Sequence, residues 1–185
     1  MTGIHRLETS LGPVQVAFDA EGAVIYLGFA DHEFRGALLT KIARLGPVAL
    51  PDPGVLACLR DQLEAYAAGR RTTFELPVHL HGSPFEQRVW AELQRIPFGE
   101  TRSYGQLAEA LGGASLSRAV GRANGANPVS ILVPCHRVIG ADGTLTGYAG
   151  GLGMKERLLR LEGAIRDGPP AGARAPAPSG FPPWP

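Results

Sequence analysis

Apolar positions alternate or run together over residues 14–18 and 24–29, with the polar stretch Asp19 to Gly22 between them. That pattern predicts a β-hairpin. Further on, Val55, Leu59, Leu63 and Tyr66 recur at helical spacing, after Pro53 and before Gly69, which predicts a helix over 55–68. Cys58 and Gln62 border its apolar face, and Cys58 reads as a small buried hydrophobe. Residues 74–80 suggest one more strand.

Beyond residue 82 the period changes to a mostly helical one. Ser83, Pro84 and Glu86 suit the N-cap, N1 and N3 positions of a helix that must stop before Pro97. A second helix is expected over 104–111, capped by Ser103 and ended by Gly112-Gly113. A third is expected from about Ser115 to Gly125, since Asn127-Pro128 forbids its continuation. A short apolar run, 131–133, leads into Pro134-Cys135-His136-Arg137, and a glycine-rich loop follows over 140–153. A last helix is expected over 154–161, closing on Glu162-Gly163.

The chain thus divides into residues 1–81, a small α/β domain, 82–163, a mostly helical domain, and 164–185. The last part holds seven of the sixteen prolines and reads as a disordered tail, with no docking site evident for Phe181 or Trp184. A formal net charge of +1 selects no partner by bulk electrostatics. Lys/Arg and Asp/Glu number seven and nine in residues 1–81 but nine and seven in 82–163, so the helical part is the better one to meet an anion. No stretch approaches the ~18 apolar residues of a membrane span, and residues 1–10 lack the apolar core of a signal peptide. The expected setting is the cytoplasm, where two cysteines, Cys58 and Cys135, are free thiols and not a disulfide framework.

The helices over 104–111 and 115–125, joined through glycines, form a helix-turn-helix or a plain helical hairpin. The second is trimmed to small residues, including Gly121 and Gly125, with Arg118 and Arg122 four apart on one face. A full-sided helix is about 10–12 Å across and the minor groove about 6 Å wide. A helix of Ala and Gly can therefore press against that groove, or pack tightly on a neighbouring helix. Pro134-Cys135-His136-Arg137 places a thiol beside basic groups that favour a thiolate. In an extended segment Cys135 and His136 point to opposite faces, so a bridging water or a bent backbone is needed for proton transfer. The second nitrogen of His136 needs an acceptor, and Glu162 or Glu156 on the last helix can supply it.

The run from Arg118 through Asn127-Pro128 to Pro134-Cys135-His136-Arg137-Val138-Ile139-Gly140 resembles the active-site region of the O6-alkylguanine-DNA alkyltransferases. Phe98 to Ala108, Gly147-Tyr148-Ala149-Gly150-Gly151 and Lys155 to Gly163 also match that family. The resemblance covers about residues 83–163, loosens before them and stops at the tail. It implies irreversible, single-turnover transfer of an alkyl group from O6-alkylguanine in double-stranded DNA to Cys135, without a cofactor, by a monomer. It further implies that His136 takes the thiol proton through a water, Glu162 orients His136, and Asn127 ties the helical pair to the active-site segment. Arg118 would insert into the duplex, Arg122 would join it in DNA binding, and Tyr104 would sit near the rotated base or its phosphate. Tyr148, Val138 and Ala149 would bound the base.

The chemistry suits such a device, because guanine O6 lies on the major-groove edge of a stacked base and in-line attack needs that base out of the stack. Ala149 departs from a serine common in the family, which leaves the backbone N–H there as the donor to O6. His79 and His81 lack a cysteine pair, so no metal is expected, nor a combined repair-and-transcription role. Three other functions compete. A damage sensor on the same scaffold would lack Cys135. A transcription regulator would display base-reading side chains that the small second helix does not. A cysteine hydrolase would show an oxyanion motif.

Overall fold

The computed structural model describes residues 3–30 and 48–165. The segment 31–47 and the predicted tail beyond 165 lie outside the described residues. Strands β1 (Ile4–Leu7), β2 (Val14–Phe18) and β3 (Val24–Phe29) form an antiparallel sheet in that order. The predicted hairpin is β2–β3. Its turn is held by the Asp19 carboxylate, which accepts the Glu21 and Ala23 N–H groups at 3.1 and 2.8 Å, with Gly22 at φ 80°. A bulge between Ala17 and Phe18 shifts the register.

Every residue of β3 is buried, because both faces and its outer edge are covered. Leu11, Val16 and Leu27 join the large core on one face, while Ala17, Ile25 and Tyr26 pack with Ile4 and Val48 on the other. Along the outer edge, Leu27 N–H donates to the Pro128 carbonyl (2.9 Å) and Ser130 N–H to the Leu27 carbonyl (2.8 Å). The segment after the helical pair is thereby stitched to the N-terminal sheet. Residues 74–80 do not form the expected strand. They touch the edge only where Val78 bridges Val24, flanked by bonds through the Pro77 carbonyl and the His79 N–H. Pro77 has no N–H to give a ladder.

Helix α1 (Pro53–Ala67) is capped by Asp52 and buries Leu59, Gln62, Leu63 and Tyr66. Gly69 stands at φ 67°, where the predicted stop required it. Cys58 is exposed and is not the buried hydrophobe expected of it. It borders the face on the solvent side, where its sulfur accepts from Gln62 Nε2 at 3.2 Å.

Helix α2 (Pro84–Gln94) begins in the predicted capping box, Ser83 with Glu86, and buries Val89, Trp90 and Leu93. Helix α3 (Tyr104–Leu111) has a second capping box, Ser103 with Gln106. A 3-10 turn, Ala114–Leu116, precedes α4 (Ser117–Gly125), so the regular helix starts two residues later than expected. Helix α5 (Leu152–Leu161) closes the described chain, with Gly163 at φ 71° after it. Two short parallel strands, β4 (Arg102–Ser103) and β5 (Val138–Ile139), join the entry of α3 to the residues just after Cys135. One hydrophobic cluster runs from Leu11 and Phe18 through Trp90 and Val120 to Leu158, so the N-terminal and helical parts share a core. No helix among the described residues is long and apolar enough to cross a membrane.

Candidate active site

The segment between α4 and β5 takes the bent form, one of the two alternatives that the sequence left open. Leu132 N–H closes a three-residue turn onto the Ser130 carbonyl at 2.9 Å, with Ile131 at φ 72°. Cys135 N–H closes another onto the Val133 carbonyl at 2.8 Å, with Pro134 at φ −82°, ψ 62°. Cys135–Arg137 then forms one turn of 3-10 helix. A left-handed β-branched residue is costly and persists only where the surroundings impose it. Here Asn127 supplies that restraint. Its side-chain oxygen accepts the Val129 N–H at 3.1 Å and its Nδ2 donates to the Val133 carbonyl at 2.8 Å. Asn124 Nδ2, from α4, reaches the Cys135 carbonyl at 3.5 Å.

Cys135, His136, Arg137 and Glu162 are all buried. Glu162 follows α5 directly, and its carboxylate is the hub of the array. Oε1 accepts from His136 Nε2 at 2.8 Å and from Arg137 Nη2 at 2.9 Å, and Oε2 accepts from Arg137 Nε at 2.8 Å. Burial opposes the charge on this carboxyl. The bonds from His136 and Arg137 outweigh it and hold the pKa down at about 2. Of the two carboxylates open from the sequence, Glu162 is therefore the partner of His136. Glu156 turns to Arg160, at 2.8 Å on the surface.

Burial pushes the His136 pKa down. Its bond to Glu162 pulls it back, and the charges of Arg137 and Lys155 depress it further. With Nε2 spent on Glu162, the buried Nδ1 has no partner among the described residues. A neutral ring donating at Nε2 is an acceptor at Nδ1, so the ring can receive a proton there. Arg137, which the sequence offered as a cation for the thiol, is spent on Glu162 and on the Ile96 carbonyl at 2.6 Å.

Tyr148 sets its ring edge-on to His136 and to Phe29, each at 6.4 Å. Burial and then the neighbouring Cys135 push its hydroxyl pKa well above the usual value. Ala149 is exposed and borders a cleft with Phe29, Asn127 and Ser130. Val138 is buried in β5, where its carbonyl accepts from the buried Lys155 Nζ at 2.5 Å. The same ammonium holds the Thr146 carbonyl at 2.5 Å, so it ties β5 to the chain two residues before Tyr148.

Tyr104, at the start of α3, donates its hydroxyl to the Thr146 carbonyl at 3.3 Å. Its ring lies 3.9 Å from where a Cβ on Gly121 would stand. Arg118 and Arg122 are exposed on α4. Gly125 has open space around it, so the small residues of that helix are not all explained by packing on a neighbour.

Sequence reasoning passed over Tyr66 and Lys155. Both sit at regular helical positions, and their burial beside polar groups from distant segments has no local signature. Near the hairpin, Asp19, Glu21 and His79 bring ligand-type atoms within 4.8 Å of one another. Asp19 already spends one oxygen on the turn and the other on His79 at 2.5 Å. His81 stands outside that group.

The DNA-binding domain of 6-O-methylguanine DNA methyltransferase matches residues 84–164. A methylated-DNA–protein-cysteine methyltransferase of Mycobacterium leprae is 55% identical over 163 residues, covering 88% of this chain and 93% of the relative. The crystal structure of the Mycobacterium tuberculosis O6-methylguanine methyltransferase is 40% identical. It aligns over 96% of this chain and 97% of its own with a TM-score of 0.74. The structure of the OGT of that organism in complex with DNA is 43% identical, covers 85% and 91% of the two chains, and has a TM-score of 0.72. Likeness of this extent along most of both sequences means that the chain belongs to the methylated-DNA–protein-cysteine methyltransferase family.

Proposed function

We propose that Cys135 is the residue that takes the alkyl group and that the surrounding array activates it. The chain repairs DNA by moving an alkyl group from methylated DNA onto a protein cysteine. The observation that carries the assignment is the buried His136–Glu162 pair beside Cys135. In this reading the thiol proton passes through a water to His136 Nδ1, and the anionic Glu162 stabilises the imidazolium that forms. The thiolate attacks the alkyl carbon. The carbon–sulfur bond forms as the carbon–O6 bond breaks, and its electron pair stays on the base. The product is a thioether that water does not readily hydrolyse, so each chain acts once.

The N–H of Ala149 and the Tyr148 hydroxyl are the donors available to the charge developing on the base. Helices α3 and α4 act as a helix-turn-helix laid against the minor groove. Arg118 fills the gap left by the extruded base, Arg122 holds phosphate, and Tyr104 stands at the path of the rotated nucleotide. Action as a monomer in the cytoplasm completes this reading.

Intact mass after mixing with an oligonucleotide that carries O6-methylguanine tests this reading. The expected result is a gain of one methyl group, mapped to Cys135 and lost in Cys135→Ala. Tight lesion binding without a mass gain would instead make the chain a damage sensor.

A further inference from the structure

Glu162 has a third side-chain donor, and it comes from the N-terminal part of the chain. The Tyr66 hydroxyl, on α1 and 96 residues away in sequence, donates to Glu162 Oε1 at 2.5 Å. That is the same oxygen that accepts from His136 Nε2. Tyr66 is fully buried, and its ring is wedged between Phe74, at 5.4 Å and tilted, and Phe98, at 6.0 Å and edge-on. The ring therefore cannot swing its hydroxyl elsewhere. Burial, followed by the charge of Glu162, pushes its pKa up, so the group stays an O–H donor at every working pH. A buried tyrosine needs some acceptor, and a backbone carbonyl would satisfy it. This one shares the oxygen that orients the histidine.

We propose that Tyr66 is a positioning residue for alkyl transfer, through which the N-terminal part sets the basicity of His136. Two effects follow from the shared oxygen. The bond fixes the carboxylate's rotation about its long axis, and with it the direction of the His136 ring. It also draws charge from Oε1, which weakens the hold of Glu162 on the imidazolium. The other groups facing His136 are Arg137, Lys155, the Tyr148 ring and the adjacent Cys135. Of these, Arg137 and Tyr148 also feel the Tyr66 hydroxyl, and Arg137 keeps its own bonds to Glu162 and to the Ile96 carbonyl when that hydroxyl is removed. The inference rests on the reading of His136 as proton acceptor.

Tyr66→Phe keeps the ring and its aromatic contacts and deletes one donor. Single-turnover transfer rates against pH for wild type, Tyr66→Phe and Glu162→Gln form the test, with thermal unfolding alongside. In Tyr66→Phe the carboxylate should hold the imidazolium more strongly. The acidic limb should then move to higher pH by on the order of half a unit, and the plateau should fall because the direction of the ring is no longer fixed. In Glu162→Gln the limb should move to lower pH and the plateau should fall further. A Tyr66→Phe protein that is less stable but keeps its limb in place would reduce Tyr66 to a packing residue and overturn the inference. If Glu162→Gln also left limb and plateau unchanged, the proton-acceptor reading itself would fail. Titration of the His136 ring nitrogens by NMR, without DNA, reads the same displacement independently of turnover. An unmoved titration would overturn the inference as well.

Discussion

Cys135 stands at the head of a single 3-10 turn, and each neighbour is fixed by a bond to another segment. The His136 pKa is lowered in the fold, so the neutral ring persists below its ordinary value of 6.5. The transfer rate should accordingly hold level as pH falls through 6.5 and drop only below it, as rapid-quench rates across that range would show. A profile that fell with a midpoint above 6.5 would exclude His136 as the controlling base. In the proposed site Ala149 offers the base a backbone N–H and no hydroxyl. Ala149→Ser should speed methyl transfer several-fold, as one more hydrogen bond worth about 1 kcal/mol in the transition state would do. Competition between methylated and bulkier O6-alkyl oligonucleotides would read the effect. An unchanged rate would leave the backbone N–H as the sufficient donor.

At the scale of elements, α4 is the informative helix. Its buried face is Val120, Ala123 and Asn124, while Arg118, Arg122 and Gly125 look outward. Trp90 Nε1 fixes it to α2 through the Ala123 carbonyl at 2.8 Å. Gly125→Ala should leave the fold intact and raise its stability by up to about 1 kcal/mol, since the site is open and alanine is the better helix former. Gly125→Leu should also fold but weaken DNA binding, because bulk at that point would hold the helix off the groove. Equal binding by both variants in a titration with duplex DNA would remove α4 from the interface. Arg122→Ala should lower the slope of log affinity against log salt by about one, the signature of one lost phosphate contact, at all sequences alike. A slope that stayed the same would show that Arg122 does not meet the backbone.

At the scale of the whole molecule, the two parts are bound by a shared core, by the β3 edge and by bonds such as Arg157 to the Ser10 and Leu11 carbonyls at 2.7 and 3.1 Å. The buried charges make this assembly acid-sensitive. Glu162 has a folded pKa of about 2 against 4.5 unfolded. A depressed value gives stability that is present above pH 4.5 and is lost as pH falls toward 2. His136 acts in the same direction from 6.5 downward, since the unfolded ring takes its proton first. Urea midpoints should thus decline as pH drops below 6.5 and steepen below 4.5. Glu162→Gln should be less stable at neutral pH yet lose the steep part. An undiminished slope in that variant would place the acid sensitivity elsewhere.

The amino-acid pattern alone determined the local elements whose causes are local. Ser83-Pro84-Phe85-Glu86 dictates where α2 begins, Gly69 and Gly112 where helices end, and Asp19 to Gly22 where the hairpin turns. Each rests on a cap, a backbone angle or an amphipathic period carried within a few residues. The chemical motif at Cys135 was legible for the same reason, being contiguous. Only the tertiary structure decided that the cysteine segment bends, that Cys58 faces solvent and that residues 74–80 end as a bridged edge. It also seated on His136 the Glu162 that the family resemblance had implied, where the residue pattern alone left Glu156 open, and it brought Tyr66 to the same oxygen. Those outcomes depend on which distant segments cover a surface or offer a donor. Partners 26 and 96 residues away leave no trace in the local spacing of the sequence.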